Sequence, residues 1–504
     1  MERLVIPAEG IGQLSPAWRK CVGTGRMALA LRADYRESLK LVQHDIGFEH
    51  IRGHGLFSHA MGILRDSEGV QRCGFTYLDE VIDSYLDLGI KPFLELGFMP
   101  HALASGEQTL FWWKANVTPP KDHGEWAALV SATVKHLISR YGLDEVRDWP
   151  IEVWNEPNLD AFWAGADMAA YFKLYATSVQ AIKEVDAELQ VGGPAVAPRA
   201  GEWYEKFAAF VTDQGLPCDF FSAHAYSSKP IQPFPFGVYQ GFYPSEDLLE
   251  QFAIPGQVLA GTPLEHIPVH ITEYNTSYDP LNPIHDTAYN AAYLAPVVAN
   301  GGDLVDSFSY WTFCDVFEEQ DVPTSIFHGG FGLMTIHQLR KPTYHLYAFM
   351  ARMGSQILAR GEDHLVTRHD DGRVTILAWQ PVGDPDAVRF GELPASHQVG
   401  FEVPLPGAKA AAFIRRSVGE EAGNAWAAWR ELGRPMAPSR RTMDLLREAS
   451  APAVTHGSLA IEHGQVNLDL TLGRHEVTLV EVLPVTPDHH EGLDDSRLLG
   501  HEPR

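Results

Sequence analysis

Between about residues 20 and 345 the chain alternates short apolar runs with longer amphipathic stretches, and this rhythm limits the fold more than any other feature. The runs at 23–28, 50–53, 92–96, 151–154, 190–193, 220–223, 269–272 and 308–311 read as strands. The segments between them are helical in pattern. Residues 32–43 place Tyr35, Leu39, Leu41 and Val42 near helical spacing, and 77–88 and 126–141 behave alike. Eight strands, each followed by helical or loop material, predict a (β/α)₈ barrel. A doubly wound sheet is the competing layout. It usually carries a glycine-rich phosphate loop after the first strand, and Gly23-Thr24-Gly25 is too little to make one.

Past residue 345 the period becomes two. Residues 364–369 and 373–379 flank Asp370-Asp371-Gly372, a hairpin signal. Residues 465–472 put Val466, Leu468, Leu470 and Leu472 on one face and Asn467, Asp469 and Thr471 on the other, and 475–483 follows across a turn at Gly473. This argues a β-sandwich, interrupted by a helical insertion around 422–429. The length of 504 residues suits such a division. The expected domains are a catalytic barrel over 15–345 and an accessory sandwich over 346–486, with residues 1–14 a candidate addition to it. A polar, flexible tail is expected over 487–504.

Composition narrows the partners. The formal charge of −26 would repel a polyphosphate, so no nucleic acid is expected. No apolar run approaches the roughly 20 residues of a membrane span, and no polybasic run would hold an anionic membrane. The first ten residues, MERLVIPAEG, lack the pattern of a secretory signal. Cys21, Cys73, Cys218 and Cys314 are scattered, without a CxxC pair, so free thiols and a cytoplasmic location are expected. Two sequon matches, at Asn116 and Asn275, read as chance. No histidine cluster has metal-ligand spacing, and His489-His490 lies in the polar tail, so neither metal nor cofactor is expected. Oligomeric state is not legible.

In a barrel, chemistry gathers where strands end. The fourth run ends Trp154-Asn155-Glu156-Pro157-Asn158, and the proline stops the strand just after a glutamate aimed at the mouth. The seventh ends Ile271-Thr272-Glu273-Tyr274-Asn275. Strands four and seven face each other across a barrel, so the two carboxylates converge. Such a pair suits glycosidic cleavage: one protonates the leaving oxygen, and the other attacks the anomeric carbon or activates water. Glu95, on an otherwise apolar run, reads as a buried structural carboxylate. His328-Gly329-Gly330 either lines the mouth or shapes a loop.

These motifs resemble the clan of (β/α)₈ retaining glycosidases, and within it glycoside hydrolase family 39, the β-xylosidase family. The similarity runs over roughly residues 15–480. It includes Arg52-Gly53-His54-Gly55-Leu56-Phe57, Phe93-Leu94-Glu95-Leu96-Gly97-Phe98-Met99-Pro100, Pro119-Pro120-Lys121-Asp122, Ser222-Ala223-His224-Ala225-Tyr226 and Tyr310-Trp311-Thr312-Phe313 with Glu318-Glu319. Gly53 departs from it, since the family usually has a bulky aromatic there. The resemblance implies Glu156 as general acid/base and Glu273 as nucleophile. The carboxyls should then lie about 5–5.5 Å apart, with charged Glu273 raising the proton affinity of Glu156. It further implies Asn155 on the sugar 2-hydroxyl, Tyr226 on Glu273, His54 and His224 on sugar hydroxyls, and Glu318 and Glu319 on the terminal sugar. Trp311 and Trp113 are candidate apolar platforms, with core packing equally good for Trp113.

The expected activity is that of a retaining exo-β-1,4-xylosidase acting on xylobiose and short xylo-oligosaccharides by double displacement. The competitors are an α-L-arabinosidase or α-L-iduronidase on the same scaffold, and a non-catalytic carbohydrate-binding protein. Iduronate would want convergent Lys or Arg, whereas Glu318-Glu319 is acidic.

Overall fold

A computed structural model describes residues 3–67, 70–235, 237–383 and 394–485. Eight parallel strands close into a barrel: β1 Cys21–Arg26, β2 His50–His54, β3 Lys91–Glu95, β4 Ile151–Glu152, β5 Val191–Val196, β6 Phe220–Tyr226, β7 Val269–Asn275 and β8 Ser307–Tyr310. A helix follows each: α1 Ala33–Asp45, α2 Thr76–Leu86, α3 His123–Tyr141, α4 Met168–Lys183, α5 Trp203–Gln214, α6 Glu246–Leu259, α7 Ala288–Asn300 and α8 Pro342–Met350. This is the (β/α)₈ architecture expected from the alternation. The helices cover the outer face of the ring and side chains fill its inner face, so strands such as β5, β6 and β8 are buried along their whole length.

Local sequence explains the helices. On α3 the buried residues Trp126, Leu129, Val130, Thr133, Val134 and Leu137 recur at helical spacing. Asp122 caps its start by accepting from Gly124 N and Glu125 N, and Gly142, at φ 91°, ends it.

Several strand ends differ from the sequence reading: β5, β6 and β7 each run three residues further, to Val196, Tyr226 and Asn275. The first strand spans Cys21–Arg26 rather than 23–28, because Met27–Leu31 winds into a 3-10 turn that buries Met27, Leu29 and Ala30. The fourth pairs only over Ile151–Glu152, because the chain leaves the sheet early. Trp154 sits at φ 73° and Glu156 at φ 46°, a left-handed conformation that costs a non-glycine residue about 1–3 kcal/mol. Three short antiparallel ribbons decorate the loops after β2, β3 and β6: Leu64–Ser67 with Val70–Cys73, Thr109–Leu110 with Ala115–Asn116, and Gln232–Phe234 with Gly237–Tyr239.

The C-terminal strands form two facing sheets. The larger contains β9 Gln356–Arg360, β10 His364–Arg368, β11 Val374–Trp379, β13 Ala410–Val418, β14 Ala453–Leu459 and β16 Val477–Val485, with Gly12–Gln13 at its edge. The smaller holds β12 Ser396–Pro404, β15 Gln465–Gly473, Leu4–Val5 and Ile461–Glu462. The alternation in β15 is as read, with Val466, Leu468, Leu470 and Leu472 buried between the sheets. The turn after Gly473 does not close a hairpin: β15 pairs with β12, and β16 pairs with β11 and β13 in the other sheet. The helical insertion comprises α9 Ala425–Glu431 and α10 Arg440–Ala449.

On β11 and β16, Ile376, Val480 and Val482 face the second sheet, while Leu377, Trp379, Val477 and Leu479 join the barrel's core. Helix α8, buried almost all round, lies at this junction, and the expected boundary at residue 345 falls within it. The expected tail over 487–504 lies outside the described residues. All four cysteines are free, and Asn116 and Asn275 are buried. Among the described residues, no helix is long and apolar enough to cross a membrane.

Glu481 on β16 ties this junction together. It is 2% exposed, and its carboxylate accepts from Arg352, just after α8, at 3.0 Å, from Arg373 at 3.0 Å, and from Arg416. Burial pushes its carboxyl up, but Arg352 and Arg416 outweigh that and leave it below its ordinary value. Glu481→Ala should therefore destabilise the fold by about 1–3 kcal/mol at neutral pH, read from urea unfolding. Because the folded-state pKa is depressed, the difference from wild type should shrink as pH falls through the carboxylate range.

Candidate active site

The mouth of the barrel is built around a buried cation. Arg52 on β2 is fully buried, and its guanidinium reaches four side chains. Nε donates to Glu152 Oε2 at 2.6 Å, Nη1 to Glu273 Oε1 at 2.8 Å and Nη2 to Asn155 Oδ1 at 2.8 Å, with Glu95 Oε2 at 3.1 Å from Nη2. Thr272 donates to the second oxygen of Glu152 at 2.9 Å. Burial opposes the charge on Arg52, but Glu152, Glu95 and Glu273 outweigh it and hold the guanidinium protonated.

Strand geometry explains this convergence. Side chains alternate across a strand, so Arg52 and His54 share the inner side of β2. Gly53 between them must be small, because a Cβ there would lie 2.7 Å from the carbonyl oxygen of Gly25 and from Thr24 Cγ2. The departure from the family pattern at Gly53 is thus matched by a close approach of β1.

Glu273, on β7, accepts from Arg52 on one oxygen and from Tyr226 Oη on the other, at 2.9 Å. Glu156 is placed by the left-handed turn after β4 and by its own backbone N–H, which donates to Ala195 O at 2.9 Å. One oxygen from each of Glu156 and Glu273 and a ring nitrogen of His224 all lie within 4.8 Å of one another. A cation held there would compete with Arg52 and Tyr226 for Glu273.

Burial pushes the Glu156 carboxyl up to about 7, against the pull of His54 and Arg52 and with a smaller push from Glu95. The sequence reading gave this role to the charge of Glu273. That charge is instead offset by Arg52 at 2.8 Å, so desolvation is the main lever.

His224, expected on a sugar hydroxyl, lies against Glu156 and is not part of the cavity lining. It is 1% exposed, its Nδ1 lies 2.9 Å from Glu156 Oε1, and burial pushes it down to about 4, so it is neutral near pH 7. The Nδ1–H tautomer fits best, because it donates to Oε1 and leaves Oε2 to carry the acidic proton. Asn155 is oriented in the same way. Arg52 can donate only to its carbonyl oxygen, so the amide nitrogen turns away from Arg52, and no described residue accepts from it.

His54 Nδ1 pairs with Glu95 Oε2 at 2.6 Å. Burial pulls this imidazole down, but Glu95 overcomes it and raises the group to about 9. Glu95 thus sits buried and paired, as the sequence suggested. His54 Nε2 lies 3.6 Å from Glu319, whose carboxyl burial pushes up to about 8, with help from Glu273 and Glu156.

Glu318 and Glu319, read as a pair, part company. The Glu318 carboxylate is taken by Arg26 at 2.6 Å and Arg32 at 2.7 Å and does not border the cavity, whereas Glu319 does. The cavity, of about 430 Å³, is lined by His54, Asn155, Glu156, Tyr226, Glu273, Trp311 and Glu319, together with Leu159, Phe162, Arg199, Tyr243, Tyr278 and Phe331. Trp113 lies outside it, packed on Phe98 and Phe111. His328 also lies outside it, although Phe331, three residues on, is in its wall.

Arg52 and Glu152 have no role in the sequence reading. Their signal was a charged residue within each of two apolar strands, in step with His54 and Trp154. The rim residues Arg199, Tyr243 and Tyr278 come from long loops and left none.

Similarity to known proteins agrees with this site. The sequence model of Glycosyl hydrolases family 39 matches residues 3–467. A β-xylosidase of Geobacillus stearothermophilus is 46% identical, covering 99% of this chain and all of that one. A β-xylosidase of Caldicellulosiruptor saccharolyticus is 37% identical, over 94% of this chain and 96% of its own. The crystal structure of a monomeric β-xylosidase from Caulobacter crescentus CB15 superposes with a TM-score of 0.87 at 31% identity, covering 96% of this chain and 100% of that one. The chain belongs to glycosyl hydrolases family 39 and is a glycoside hydrolase.

Proposed function

We propose that the protein is a retaining exo-β-xylosidase acting on xylobiose and short xylo-oligosaccharides, with Glu273 as nucleophile and Glu156 as acid/base. The observation that carries this reading is the pair of carboxylates at the mouth, with oxygens within 4.8 Å and unlike surroundings. A bound of 4.8 Å on one oxygen pair is compatible with the roughly 5–5.5 Å carboxyl separation of retaining pairs and is shorter than the roughly 6.5–9.5 Å that leaves room for a water. The choice of xylose is supported by the β-xylosidases at 46% and 37% identity.

In the first step Glu273 attacks the anomeric carbon while Glu156 gives its proton to the glycosidic oxygen. A glycosyl ester forms and the aglycone leaves as an alcohol. Esterification cancels the charge on Glu273 and leaves Arg52 less compensated. The added positive potential keeps Glu156 deprotonated once its proton has left with the aglycone, so it is available as the base for water as water attacks the ester. Asn155 donates to the sugar 2-hydroxyl, where hydrogen bonds strengthen in the oxocarbenium-like transition state. His54 and Glu319 bind ring hydroxyls, and Trp311 packs on an apolar sugar face.

The cavity is near the small end of ligand sites, which suits a short saccharide. Trp311 and Phe331, each 2% exposed, form its deep wall, while Leu159 and Tyr278, 38% and 44% exposed, form its rim. The deep side takes the terminal sugar and the rim takes the leaving residue. The lining arginine, Arg199, is paired with Asp247 at 2.8 Å, which leaves it less free to take an iduronate carboxylate. Four free cysteines support a cytoplasmic location.

Three results test this reading. Glu156→Gln should slow alkyl xylosides far more than nitrophenyl xyloside, and should remove the fall in wild-type kcat/KM above a pH of about 7. Equal losses on both substrates would count against the acid role. Glu273→Ala should nearly abolish turnover, with azide restoring it as the α-xylosyl azide by NMR, whereas wild type should release β-xylose first. Arg52→Lys cannot span the same four partners and should lower kcat/KM by about 10²-fold.

A further inference from the structure

The loop after β8 carries a buried ion cluster that the reaction does not use. Lys341 is 1% exposed, and Asp286 and Asp315 are as deep. The lysine ammonium lies 2.7 Å from an oxygen of each aspartate and donates to Gly330 O at 2.8 Å. The aspartates also hold backbone: Gly329 N donates to Asp286 Oδ2 at 2.8 Å and Gly332 N to Asp315 Oδ1 at 2.7 Å. His285 Nδ1 lies 2.8 Å from Gly329 O.

All of these contacts converge on the four residues Gly329-Gly330-Phe331-Gly332. The glycines are needed because the cluster is tight. A Cβ on Gly330 would lie 2.4 Å from Asp315 Oδ1, and one on Gly332 would lie 2.4 Å from Asp315 N. Gly329, at φ 81°, would press on the carbonyl of Leu281 at 2.5 Å. Three glycines around one aromatic leave that backbone free unless something outside it sets the path. The aromatic is Phe331, which packs with Tyr226, Trp311 and Phe317 and stands in the cavity wall.

We propose that Lys341, Asp286 and Asp315 are positioning residues that fix Phe331 against Tyr226 and Trp311, and that the wall so fixed limits the size of the sugar admitted to the deep end of the cavity. This rests on the xylosidase reading above. A pentose fits against a rigid wall that a hexose, with its extra hydroxymethyl group, would have to displace.

The test is a double-mutant cycle on kcat/KM with nitrophenyl β-xyloside and β-glucoside. Phe331→Ala should lower kcat/KM for the xyloside by about tenfold, mostly through KM, and narrow the preference over the glucoside. Lys341→Met should do the same, and the double variant should be little worse than either single one. Where Lys341→Met does not fold, Asp286→Asn takes its place, since it keeps an acceptor for Gly329 N. Losses that multiply to about a hundredfold, or a lowered Tm with an unchanged sugar preference, would overturn the proposal. If wild type does not hydrolyse the xyloside, the xylosidase reading fails, and the cycle is read on the glycoside it does turn over. If wild type hydrolyses it and the losses multiply, only the role of the cluster fails.

Discussion

Arg52 joins β2 to β3, β4 and β7 through buried side chains, and the geometry of the mouth follows from it. A guanidinium is a planar fork with five donors, so it fixes the direction of each partner as well as its distance. Glu273 is turned so that its second oxygen meets Tyr226. Asn155 is turned so that its amide nitrogen points away from the fork. A lysine would supply the charge without these angles, and an apolar residue would leave Glu152 buried without a counter-ion.

The same arrangement separates the two carboxylates chemically. Because Arg52 offsets the charge of Glu273, the proton affinity of Glu156 depends mainly on burial in the resting enzyme. In the proposed mechanism charge takes over once the ester on Glu273 forms and the local balance shifts by one unit. In the first step Arg52, 2.8 Å from Glu273, offsets the repulsion that Glu273 would exert on Glu156. His224 sits behind Glu156, 2.9 Å from its Oε1 and outside the cavity lining.

Much of the barrel was legible because the alternation of apolar runs and amphipathic stretches is a local property. Both glutamates were legible too, since strand ends aim side chains at the mouth. Harder to read was anything that depends on which way a loop turns. Glu318 and Glu319 are chemically identical neighbours, yet one pairs with Arg26 and Arg32 and the other faces the cavity. The side chosen depends on partners nearly 300 residues away in sequence. Gly473 shows the same limit: the turn was visible, but whether it joined strands of one sheet or passed between two was not.

Arg52 beneath the carboxylates and Lys341 behind the wall are buried cations that flank the cavity. Each is surrounded by more carboxylates than its own charge can balance. Desolvating such groups costs several kcal/mol per ion, and well-packed apolar residues of similar volume often do as well for stability. Stability alone therefore gives no reason to place charge at these two points. Direction does. An apolar contact tolerates rotation of one residue about another, whereas a charged hydrogen bond is strong over a narrow range of angles. Reacting groups displaced by 1 Å can lose about 10²-fold in rate, so side chains beside the reaction gain most from partners that fix angles. Glu273, Asn155 and the backbone around Phe331 are where this chain applies them.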